Sequence, residues 1–269
     1  MNFTTKLTRA CRQNRSLLCV GLDPDPELMP GSTSVLDFNK AIIEATSDLV
    51  CAYKLNFAFY EALKDGGFQV LKQTLEHIPD NIPVIGDAKR GDIGNTARAY
   101  ARAIFTNFNF DATTVSPYLG FDSIEPFSRY HDRGVFVLCR TSNAGAGDFQ
   151  SLQTRVDDGH RPLFEVVADS VARWNNHGNL GLVVGATYPD ELLQIRRSHP
   201  DLLLLIPGIG AQGGDLAATV RNGVDRHGEK AIINSSRQII YASPEKDFAS
   251  AARQAAAELR DQINLYLPH

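Results

Sequence analysis

The chain has 269 residues, a net charge of −4, 43% hydrophobic and 22% charged residues, ordinary values for a soluble globular protein with a sizeable core. Its lysines and arginines are scattered, with no basic stripe interleaved with aromatics, so nothing supports nucleic-acid binding. No run approaches the roughly 18 consecutive apolar residues of a membrane span, and no membrane association is expected.

In chain order, the N-terminus lacks the apolar core of a signal peptide. Lys6, Arg9, Arg12 and Arg15, with no acid before Asp23, imitate an organellar transit peptide. Phe3, Leu7 and Ala10 nevertheless have helical spacing, and a strand follows at once, so a short helix closing the bottom of the fold is expected. Strands are expected from near Ser16, Cys51, Ile82, Asp111, Gly134, Leu180, Leu202 and Ala231. Most are continuous apolar runs, as in strands covered on both faces. Helical patterns lie between them: Val35, Phe38, Ile42, Ala45 and Leu49 step by three and four, behind a capping-box-like Ser34 and Asp37. The last helix is expected to open with Ser243 as cap, Pro244 at its first position and Glu245 in its first turn, with Phe248, Ala252, Ala255, Leu259 and Ile263 as its apolar stripe. Eight βα units in this length predict a (β/α)8 barrel, with an open doubly wound sheet as the alternative. No Pro/Ser-rich linker divides the chain, so residues 1–269 are read as one domain. Gly145–Arg161 is the longest irregular stretch, and such loops are often functional. Cys11, Cys19, Cys51 and Cys139 have no zinc-ligand spacing; three lie in apolar runs, as buried thiols of a reducing, cytoplasmic compartment would.

A barrel carries its chemistry at the C-terminal ends of its strands. Read in order, those ends offer Asp23 and Asp25, Lys54 and Asn56, then Asp87, Lys89 and Asp92, then Arg140, Ser142 and Asn143, then Pro207 to Gly214, and Arg237. Lys54 stands in an apolar run, where it must find a partner, lose its charge or snorkel to the rim. Pairing with Asp87 would start an alternating chain of Lys54, Asp87, Lys89 and Asp92, with Asp87 and Lys89 facing one way and Gly91 letting Asp92 return toward Lys89. The plainer alternative is a set of solvated ion pairs. Gly208–Gly213 fits the G-x-G-x-x-G pattern of a dinucleotide fold, with Asp225 as a ribose-binding acid, but it lies in the seventh βα unit rather than the first. Barrels hold phosphate after strands seven and eight, where glycines let backbone N–H groups approach the anion and Arg237 adds a forked contact. The residues thus suggest proton chemistry on a small phosphorylated molecule, with neither a metal site nor a redox motif evident.

At these positions the chain resembles the orotidine 5′-phosphate decarboxylase family, in its longer, mainly bacterial (type 2) branch. The matching pieces are Val-Gly-Leu-Asp-Pro-Asp at 20–25, Tyr-Lys-Leu-Asn at 53–56, Gly-Asp-Ala-Lys-Arg-Gly-Asp-Ile-Gly-Asn-Thr at 86–96, Pro-Gly-Ile-Gly-Ala-Gln-Gly-Gly-Asp at 207–215 and Arg237. The resemblance implies a cofactor-free conversion of orotidine monophosphate to UMP in pyrimidine biosynthesis. It implies Lys89 as proton donor, Asp87 beside the departing carboxylate, Lys54 orienting the network, and Asp23 on a ribose hydroxyl. Ser142 is implied at the pyrimidine, Gln212 and Arg237 at the phosphate, and Pro207 and Gly213 among the substrate-binding residues, with the glycine-rich loop 208–215 expected to move as the site closes over substrate. Asp92 and Thr96 would reach into the neighbouring subunit's site, making a homodimer with shared sites. Related magnesium-dependent sugar-phosphate barrels carry an acid on strand two, where this chain has Lys54. A Schiff-base aldolase would need a deprotonated lysine, which flanking carboxylates oppose. A non-catalytic nucleotide-binding barrel would need the phosphate grip without the charges.

Overall fold

The computed structural model describes all residues except 32, 65, 157–158, 210–214 and 269. Its strands are β1 (Leu18–Gly21), β2 (Ala52–Asn56), β3 (Val84–Arg90), β4 (Ala112–Val115), β5 (Gly134–Arg140), β6 (Gln153–Val156), β7 (Gly159–Pro162), β8 (Leu180–Val184), β9 (Leu203–Pro207) and β10 (Ala231–Ser235). All except β6 and β7 are parallel and close into an eight-stranded barrel, with Leu18 of β1 in register with Ile233 of β10. Closure rules out the open sheet and gives the expected (β/α)8 architecture.

The barrel interior is built in layers. Cys19, Ala52, Ile85, Ala112, Phe136, Val183, Leu205 and Ile232 form an apolar layer, separate from the larger core between strands and helices. Successive side chains on a strand alternate faces, so the next inward residue is two positions on. That step turns Ala52 into Lys54, Ile85 into Asp87, Ala112 into Thr114, and Ile232 into Asn234, all of which line a cavity above the apolar layer.

The helix Phe3–Asn14 closes the lower end, as its spacing predicts. Asn2 Oδ1 caps it by accepting the Thr5 N–H at 2.9 Å, and Lys6 pairs with Asp111 at 2.8 Å. Phe3 enters the apolar layer edge-on to Phe136, with ring centroids 5.8 Å apart. Gly134 makes room for it: a Cβ there would lie 2.4 Å from Phe3 Cδ1.

The helix Val35–Thr46 starts at Ser34, whose Oγ accepts the Asp37 N–H at 3.1 Å. The last helix differs from expectation and spans Phe248–Leu265. Ser243 accepts the Glu245 N–H at 3.1 Å and donates to Asp247 at 2.6 Å, a local turn that competes with helix and leaves Pro244 and Glu245 outside it. The stretch Gly145–Arg161 is also more regular than expected. It holds all but the first residue of a short 3-10 turn, Ala144–Asp148, and most of the antiparallel β6–β7 hairpin. Among the described residues no helix is long and apolar enough to cross a membrane. All four cysteines are free, and Cys19, Cys51 and Cys139 are buried.

Candidate active site

A cavity of about 510 Å³ opens at the C-terminal end of the barrel strands, within the size range of small-ligand sites. Lys54 and Asp87 stand in its floor, 5% and 8% exposed. Lys54 Nζ lies 3.1 Å from Asp87 Oδ2 and 3.9 Å from Asp23 Oδ1. Burial pulls the Lys54 ammonium toward neutrality, but the carboxylates of Asp23 and Asp87 outweigh it and move the pKa upward. Burial likewise opposes charge on Asp87, and Lys54 and Lys89 reverse it, holding that carboxyl below the usual range. Lys54 is therefore a fixed cation.

Lys89 reaches Asp87 by a route that strand alternation does not supply. Gly86 pairs with Thr113 and Arg90 with Val115, so β3 bulges against β4. Within the bulge Lys89 has φ +47°, a left-handed conformation costly for a side chain. Its Nζ then meets Asp87 Oδ1 at 2.6 Å, while its side chain stays 48% exposed to the cavity mouth. Thr114 holds both ends: its Oγ1 accepts the Lys89 N–H at 3.0 Å and donates to Asp87 Oδ1 at 2.8 Å.

Asp23 accepts the Asn56 N–H at 3.3 Å, and its own carbonyl accepts from the Tyr241 hydroxyl at 3.1 Å. Ser142, Pro207 and Arg237 line the same cavity, with Arg237 opening the short helix Arg237–Ile240. Gln212 and Gly213, and with them the centre of the expected glycine-rich loop, lie outside the described residues. Among the described residues the ion-pair partner of Lys89 is Asp87 rather than Asp92. Asp92 Oδ1 accepts the Ile93 N–H at 2.7 Å at the entry of the helix Gly94–Arg102, where Thr96 is exposed. Neither Asp92 nor Thr96 is among the described cavity-lining residues.

Sequence reasoning missed Thr114 and Gln150 and read Asn234 at the end of its strand without giving it a role; all three line the cavity. Thr114 and Asn234 were reachable by the two-residue step from Ala112 and Ile232. Gln150 gives no such signal, because it enters from the loop after β5. Among the described residues no group of three His, Cys, Asp or Glu side chains could hold a metal. Where a cation would bridge Asp23 and Asp87, the Lys54 ammonium already sits. The arrangement can hold a protonated amine at a substrate atom and confront substrate with a fixed carboxylate.

Residues 16–254 match the family described as orotidine 5′-phosphate decarboxylase / HUMPS. An orotidine 5′-phosphate decarboxylase from Dehalococcoides mccartyi (strain CBDB1) is 56% identical over 266 residues, covering 99% of this chain and 98% of the relative. The structure of Leishmania donovani OMP decarboxylase superposes with a TM-score of 0.87 at 42% identity, covering 99% of both chains. Leishmania donovani UMP synthase gives a TM-score of 0.89 at 43% identity, over 99% of this chain and 56% of that one.

Proposed function

The chain belongs to the orotidine 5′-phosphate decarboxylase / HUMPS family, and from that premise we propose that the Lys54–Asp87–Lys89 array is its catalytic centre. The chain is a carboxy-lyase of pyrimidine biosynthesis, converting orotidine 5′-phosphate to UMP and carbon dioxide. The observation that carries the residue roles is the Asp87 carboxylate, clamped between two ammonium groups at 3.1 and 2.6 Å.

In this reading the bond from the pyrimidine ring to its carboxylate breaks, carbon dioxide leaves, and the electron pair stays on the ring carbon. Lys89 Nζ–H supplies the proton that forms the new C–H bond. Asp87 places fixed negative charge beside the substrate carboxylate, a repulsion relieved as carbon dioxide departs. Lys54 keeps Asp87 ionised and aimed, and with Asp23 it contacts the ribose. Ser142 contacts the pyrimidine. Arg237, Pro207, Gln212 and Gly213 hold the phosphate, so remote binding energy supports the chemical step. The reaction needs no cofactor. Asp92 and Thr96 complete the site of a second copy in a homodimer, consistent with their place outside their own chain's cavity. The chain acts as one domain, in the cytoplasm, without nucleic-acid or membrane partners.

The magnesium-dependent sugar-phosphate reading is the weaker one, because Lys54 fills the position between Asp23 and Asp87. The test follows the ultraviolet absorbance of orotidine monophosphate on adding protein, with and without EDTA. Loss of the orotate chromophore at equal rates in both supports the proposal. Loss abolished by EDTA refutes the cofactor-free mechanism.

A further inference from the structure

Ser142 stands at the cavity lip in a segment that carries no regular secondary structure of its own. Its carbonyl accepts from the Thr187 hydroxyl at 3.4 Å, and the loop that follows holds the residues on either side of it. The Gln150 carboxamide clasps Thr141 on two sides: Oε1 accepts the Thr141 backbone N–H at 2.8 Å, and Nε2 donates to Thr141 Oγ1 at 2.8 Å. Thr141 Oγ1 in turn donates to Asn143 Oδ1 at 2.6 Å, so both neighbours of Ser142 are tied to one side chain. Behind Ser142 lies Gly185, where a Cβ would sit 2.7 Å from Ser142 Cβ and 2.8 Å from its nitrogen. The lip is thus pressed from behind and clasped in front.

Gln150 is itself anchored. Its carbonyl accepts the Phe164 N–H at 2.9 Å, and the Leu152 carbonyl accepts the Leu163 N–H at 2.9 Å, so the loop is pinned where the helix Leu163–Trp174 begins. Arg161, at the base of the β6–β7 hairpin, pairs with Glu165 at 2.8 Å and Asp169 at 2.6 Å on that helix. The helix Leu163–Trp174 is thus joined through Gln150 to the cavity lip.

We propose that Gln150 is a positioning residue for recognition of the pyrimidine base, acting through Thr141 on Ser142. The inference rests on Ser142 as the pyrimidine contact. Gln150 itself touches the lip rather than the reacting atoms. It therefore governs how well the base is held and leaves the sugar-phosphate grip at Arg237 alone.

The test compares two competitive inhibitors of the decarboxylation, UMP and ribose 5-phosphate, which share the sugar phosphate and differ in the base. Gln150→Ala is expected to weaken UMP about tenfold, the scale of one misplaced hydrogen bond, and to leave ribose 5-phosphate within about twofold. Gln150→Glu keeps an acceptor for the Thr141 N–H and is expected to restore most of the UMP affinity. Equal weakening of both inhibitors would mean a general structural role and overturns the proposal, as does unchanged UMP affinity. Ser142→Ala, measured alongside, separates the two premises. If it leaves the ratio of the two affinities unchanged, the role of Ser142 fails. If it shifts the ratio while Gln150→Ala does not, only the role of Gln150 fails.

Discussion

Lys89 adopts φ +47° in a bulge and still forms a 2.6 Å ion pair, a strain of about 1–2 kcal/mol that only the surrounding contacts sustain. Lys89→Ala should lower kcat by about three orders of magnitude or more, while the circular dichroism spectrum stays that of the parent; appreciable residual turnover would remove Lys89 as proton donor. Asp87 makes a separate prediction through pH. Its folded-state pKa lies below the ordinary value near 3.9, so its contribution to stability is complete above that value and is lost as pH falls below it. Asp87→Asn should flatten the acid limb of a melting-temperature profile. At neutral pH it should cost about 3 kcal/mol, because among the described residues Lys54 then keeps only Asp23, at 3.9 Å. Thermal melts from pH 2.5 to 7 check both. Lys54 and Asp87 were legible because a charged residue in an apolar run has few places to go. The bulge at Lys89 was not, since it depends on how β3 registers with β4, and Gln150 depends on where a distant loop lands.

At the scale of elements, the eight barrel strands were legible because most are apolar runs covered on both faces. The β6–β7 hairpin was hidden because its four-residue strands are polar and half-exposed. The cap of the last helix was misread because Ser243 satisfies a turn rather than a helix terminus. The N-terminal helix shows how an element far from the chemistry can matter to stability alone. Phe3 fills the space over Gly134 and against Phe136, and Phe3→Ala should cost about 3–4 kcal/mol in denaturant unfolding. Its kcat should match the parent's, because an apolar layer separates Phe3 from the cavity. A large fall in kcat with an unchanged midpoint would contradict that layering.

On the scale of the whole molecule, the entry and the outer face of the helix Gly94–Arg102 expose large apolar side chains among polar ones. Ile93 is 50% exposed and Tyr100 37%, with Tyr118 and Leu119 also exposed, a composition suited to a second copy. The shared sites proposed above predict complementation. In a hybrid of Lys89→Ala and Asp92→Asn subunits, one of the two sites receives both intact groups. Random exchange of equal amounts makes half the dimers hybrid, and about a quarter of parent activity should return. Exchange verified by mass spectrometry with no recovery would argue against shared sites. The barrel seam has a further consequence. Strand β1 closes on β10, with Leu18 against Ile233, and the cavity takes Asp23 from just past β1 and Arg237 from just past β10. Contacts this distant along the chain form slowly, since a large loop must be closed first. A ribosome therefore finishes nearly the whole barrel before the two walls of the site can meet. Until then the Lys54 and Asp87 charges wait in a half-built wall, and the first moment at which substrate can be gripped coincides with the last strand to arrive.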